Sequence, residues 1–94
     1  MNEPIFNAQS IAVRIEHILY PHALACLGDA DRISNDPIGF MNTVLSIYEK
    51  DSEEKGQLAA DFWDNYKDYQ GQSLYSMGEK LSTQLANDIK ALFE

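Results

Sequence analysis

Apolar residues recur every three or four positions along most of this chain, and no stretch alternates apolar with polar residues as a half-buried strand would. Ile11, Ile15, Ile18 and Leu19 form the first stripe, with Asn7 or Ser10 available as N-cap and Pro21 interrupting. Residues His22 to Leu27 are apolar enough to continue after a kink, Gly28 is a natural stop, and Asp29 to Asp36 reads as a polar turn. Asp36 before Pro37 predicts a sharp helix start: the carboxylate accepts from orphan amides and proline supplies the φ of the first turn. Ile38, Met41, Val44, Leu45 and Tyr48 then line one face.

A third helix is expected from Asp51, which has Glu54 three residues on in the spacing of a capping box, to a stop near Gly71. Its apolar stripe is Leu58, Phe62, Tyr66 and Tyr69. Ser73 can cap a last helix with Leu74, Met77, Leu81, Leu85, Ile89 and Leu92 on its core face, and Leu92 and Phe93 should dock the tail. Gly56 and Gly78 weaken the helical pattern locally. These segments predict an all-α fold, a small antiparallel bundle of about four helices forming one domain over residues 1–94.

Composition narrows the function classes. The chain carries fifteen acidic residues against seven Lys and Arg, a formal charge of -8 over 94 residues. Nucleic-acid backbones and anionic lipid call for clustered Lys and Arg; here Arg14 and Arg32 lie apart and the lysines are scattered among acids, so neither is an expected ligand. The same field would attract and steer a basic protein, although net charge also serves solubility alone. The single cysteine, Cys26, excludes an internal disulfide. With neither a signal-peptide pattern nor a membrane-spanning run in view, the expected location is the cytoplasm.

Candidate chemistry is sparse. His17, His22 and Cys26 have metal-ligating side chains, but a zinc site needs three or four ligands, and packed His and Cys explain them better. A Cys/His nucleophile needs a stabilised thiolate, whereas Cys26 falls late in its apolar segment, where a helix field favours cations. Asp29, Asp31, Asn35 and Asp36 suggest a calcium loop, yet the fifth and sixth positions from Asp29 are Ile33 and Ser34, so turn and cap roles fit better. No enzyme, metal or cofactor is expected.

The stretch from Asp51 to Gln70 stands out. Glu54, Asp61, Asp64 and Asp68 share one helical face, and Trp63, Tyr66 and Tyr69 lie beside them, rings able to supply contact area at small entropic cost. These seven residues form the expected partner-binding site, an aromatic anchor with an electrostatic rim. In the competing account Trp63, four residues after Ala59, merely widens the core stripe, and the acids are a solvated face.

In size, charge and helix content over its whole length, without a shared motif, the chain resembles small acidic helical inhibitors: bacteriocin or contact-toxin immunity proteins, and phage proteins that block a host nuclease or defence complex. The leading expectation is a protein-binding inhibitor that occludes a basic, nucleic-acid-binding surface, because regularly spaced acids on a rigid helix present carboxylates where such a target expects phosphates. The alternative is a helical assembly or chaperone subunit whose apolar or aromatic patch is completed by another chain, as in a homodimer.

Overall fold

A computed structural model describes residues 7–22 and 30–93, and the elements below are those of the described residues. Helix α1 (Ala8–Leu19) is capped by Asn7, whose side chain accepts from the Ser10 amide at 3.2 Å, and it buries Ala12, Ile15 and Leu19. Where Pro21 removes a donor, the chain tightens into a 3₁₀ turn, Tyr20–His22. The expected polar turn before Asp36 is instead a short helix, α2 (Ala30–Asn35). Ile33, fully buried, fastens it to the core, so tertiary packing holds a segment too short to show periodicity or to be stable alone.

Helix α3 (Pro37–Tyr48) starts where the Asp-Pro pair predicts and is the most buried element, enclosing Ile38, Phe40, Met41, Val44 and Leu45. Asp36 Oδ1 accepts from the Gly39 amide at 3.0 Å and also from the Gly71 amide at 3.0 Å. One carboxylate thereby caps α3 and ties down the turn after the next helix.

Asp51 does not open the third long helix. A 3₁₀ turn, Glu49–Asp51, continues from α3, and the first extended residue is Ser52. Ser52 Oγ accepts from the Lys55 amide at 3.1 Å and caps α4 (Glu53–Tyr66). Asp51 instead pairs with the Lys55 ammonium at 2.9 Å. Helix α4 buries Ala59, Phe62 and Tyr66, a three-then-four spacing that turns Leu58 outward to 42% exposure, contrary to its expected place on the core stripe. It passes into a 3₁₀ turn, Lys67–Tyr69, before Gly71 reverses the chain at φ 88°.

The expected last helix is two. Helix α5 (Leu74–Met77), capped by Ser73, ends at Gly78, whose φ of 89° takes it out of helical geometry; α6 (Glu79–Phe93) then begins in a new direction. Ser82 bridges the break by donating from its buried hydroxyl to the Leu74 carbonyl at 2.8 Å. The tail docks as expected: Tyr48 donates to the Leu92 carbonyl at 2.7 Å, and the Phe93 and Tyr48 rings meet edge-on at 4.8 Å. The result is an all-α bundle of four long helices, α1, α3, α4 and α6, joined by two short ones. None of the described helices is long and apolar enough to cross a membrane.

Candidate functional site

Helix α4 presents two opposed faces. At 100° per residue, Glu54, Asp61 and Asp64 fall within an arc of about 80°, and Ala59, Phe62 and Tyr66 cover the other side. All three acids are exposed, as is Asp68 in the 3₁₀ turn that follows. The row runs about 15 Å from Glu54 to Asp64, at 1.5 Å per residue. Its charge is only partly matched: Asp61 accepts from the Gln57 amide group at 3.0 Å, and Lys67 approaches Asp64 at 3.8 Å.

The helix field explains only part of this row. Glu53 and Glu54 occupy the first turn, where negative charge stabilises a helix. Asp64 occupies the last turn, which holds no basic residue, and Asp68 lies just beyond. Carboxylates there oppose the macrodipole at roughly 0.3–1 kcal/mol each. Apart from the long i, i+3 pair of Asp64 with Lys67, helix stability gives no reason for Asp64 or Asp68.

The rings do not accompany the acids as the sequence suggested. Tyr66 is 1% exposed and donates to Asp88, so it is a core residue and cannot supply contact area to a partner. Burial first, and then the Asp88 hydrogen bond, push its phenol well above the ordinary range. Tyr69 is half-buried, its ring 6.5 Å from that of Tyr66. Trp63 is also half-buried and packs on the core beside Leu45, Ser46 and Ala59. About 100° of helix rotation separates it from Asp64 and about 160° from Asp61, so the acids do not ring it. Trp63 widens the core stripe toward α3; the expected anchor is absent from this face.

A better-formed concavity lies at the N-terminal end of the acid row. His22 of the turn after α1, Ile47 and Tyr48 of α3, Asp51, Lys55 of α4, and Leu92 and Phe93 of α6 line an open pocket of about 280 Å³. The Phe93 ring lies 5.2 Å from His22 and 4.8 Å from Tyr48, giving a continuous aromatic wall. The Lys55 ammonium sits 5.3 Å from the centre of the Tyr48 ring as well as 2.9 Å from Asp51. The Asp51 hydrogen bond raises the Lys55 pKa above its ordinary value. The sequence pattern assigns Asp51 a capping role and misses this site; the i, i+4 spacing of Asp51 and Lys55 is the one local signal that points to it, and the aromatic wall comes from three separated segments.

No described group of three or more His, Cys, Asp or Glu could hold a metal ion. His17 and His22 are exposed, and Cys26 and Asp29, part of the weighed metal and calcium patterns, lie outside the described residues. Asp36 is committed to its capping bonds. The fold and site define a small all-α bundle with an acidic helix face ending at an aromatic pocket. Comparison with protein-family models, curated proteins and solved structures finds no match to this chain.

Proposed function

We propose that the protein is a binding inhibitor that acts by occlusion, laying the exposed face of α4 across a basic, nucleic-acid-binding surface of a target protein in the cytoplasm. Such a target is a nuclease, a toxin or a defence complex, and binding alone is the activity. The observation that carries the reading is the placement of Asp61, Asp64 and Asp68 on the C-terminal half of α4 and the turn beyond it: exposed, sparsely paired, and for Asp64 and Asp68 against the helix field. Four carboxylates over about 21 Å of helix compare with roughly six phosphates along the same length of one nucleic-acid strand. The row is dense enough to occupy several Lys and Arg side chains and too sparse to imitate a duplex.

The assembly alternative draws less support. Among the described residues, the large exposed apolar side chains Val13, Tyr20, Ile47, Leu58 and Tyr75 are spread over several elements, while the principal apolar stripes meet in one buried cluster.

The test is capture from the native host's lysate at low and high salt, comparing wild type with Asp61→Lys/Asp64→Lys by mass spectrometry. Recovery of one basic nucleic-acid-binding protein, lost with salt and with the variant, supports occlusion. Recovery only of the protein itself, or of a partner indifferent to both changes, refutes it.

A further inference from the structure

The pocket beside the acid row has the chemistry of a cation seat, and the chain demonstrates this with one of its own side chains. Lys55 places its ammonium against the Tyr48 ring and within 2.9 Å of Asp51 Oδ2. Asp51 keeps 61% of its side-chain surface exposed and so can accept from a second cation. A volume of about 280 Å³ falls just below the range of pockets that enclose drug-sized ligands, but suits one long side chain. Interfaces concentrate their energy where such a side chain enters a pocket, and the ring beside the acids, Trp63, packs toward α3 instead.

We propose that this pocket seats an arginine side chain of the basic partner, its guanidinium lying against the Tyr48 and Phe93 rings and pairing with Asp51. Arginine fits better than lysine because its planar fork can stack on a ring and still reach a carboxylate, whereas an incoming lysine would offer Asp51 only the point charge that Lys55 offers it without a partner. This assignment rests on the reading of the chain as a binder of a basic protein and names the anchor that the acid row lacks. Lys55 is then an internal competitor: the incoming guanidinium takes its place on Asp51, and the freed ammonium swings to solvent.

The probe is acetyl-arginine-N-methylamide, titrated into the isotope-labelled full chain and followed by amide chemical shifts, with the citrulline analogue as an uncharged control of the same shape. The arginine probe should give saturable shifts at Tyr48, Asp51, Lys55 and Phe93, at least about fivefold tighter than citrulline. Asp51→Asn should weaken binding about threefold, and Lys55→Met should tighten it about twofold by removing the competitor. A purely structural role for Lys55 predicts no tightening. Equal binding of citrulline, shifts spread along Glu54 to Asp68 without saturation at the pocket, or weaker binding by Lys55→Met would overturn the assignment. No partner protein is needed, so a silent pocket with intact salt-sensitive capture refutes the arginine seat alone. Failed capture with a responsive pocket refutes the occlusion reading alone.

Discussion

Removal of the Asp36 carboxylate should cost more than the loss of an ordinary helix cap. Its Oδ1 accepts from Gly39 within the first turn of α3 and from Gly71, 35 residues away, in the turn that follows α4. Loss of an aspartate cap costs about 1 kcal/mol. The second bond also has a charged acceptor but is exposed, and about 1 kcal/mol is a reasonable share for it. Asp36→Ala should therefore destabilise the fold by about 2 kcal/mol, lowering Tm by roughly 8–16 °C for a domain of this length. Asp36→Ser separates the contributions: serine caps its own helix as well as aspartate does but is too short to hold Gly71, so about half the loss should remain. Urea unfolding followed by far-ultraviolet circular dichroism measures both. A loss below about 0.5 kcal/mol for alanine, or equal losses for alanine and serine, would refute the double anchoring.

Three further outcomes follow from other contacts. Tyr66→Phe removes the hydroxyl that donates to Asp88 and should cost about 1 kcal/mol at neutral pH. Because the folded phenol titrates above its ordinary value of 10.0, stability is fully present below that pH and falls above it, where the unfolded chain ionises first. Denaturation midpoints measured from pH 8 to 11 should show this decline and lose the Tyr66 part of it in the phenylalanine variant. Ser82→Ala removes the hydroxyl donor to the Leu74 carbonyl, which keeps only the Gly78 amide at 3.1 Å, and should cost about 0.5–1 kcal/mol by urea melt, with the cost traced to the α5–α6 junction by faster amide exchange there. Asp61→Lys/Asp64→Lys should shift stability by no more than about 0.5 kcal/mol in either direction, because positive charge at position 64 suits the last turn of α4 while the Gln57 bond to Asp61 and the Lys67 pair with Asp64 are lost; a large loss would mean that the acids hold the fold together.

Long-period features of the fold were legible in the sequence, and features set by a single residue's tertiary role were not. The Asp36-Pro37 start, the Pro21 interruption and the docking of Phe93 follow from local chemistry or sustained apolar spacing. Helix α2 escaped notice because one buried residue, Ile33, holds it in place. The division of α5 from α6 turns on Gly78 adopting a positive φ, which a sequence pattern reveals only as a weakened helix. Asp51 looked like a cap because the persistence of 3₁₀ geometry through Glu49–Asp51 depends on how α3 ends.

The candidate site divides the same way. Periodicity placed Glu54, Asp61, Asp64 and Asp68 on one exposed face, because charged residues opposite a core stripe have only solvent to meet. It could not tell which rings shared that face. Tyr66 belongs to the core and Trp63 to its α3 edge, since aromatic side chains fill whichever interhelical gap lies nearest. The pocket was illegible because its wall joins α3, α6 and the turn after α1.

The most direct test of occlusion is the association rate constant with the captured target, measured by stopped flow across ionic strength for wild type and Asp61→Lys/Asp64→Lys. Occlusion by the acid row predicts a wild-type rate that falls steeply with salt, and a variant at least about tenfold slower with a much flatter salt dependence. Equal rates and equal salt slopes for the two proteins would contradict the account, leaving the acids of α4 as a solvated surface.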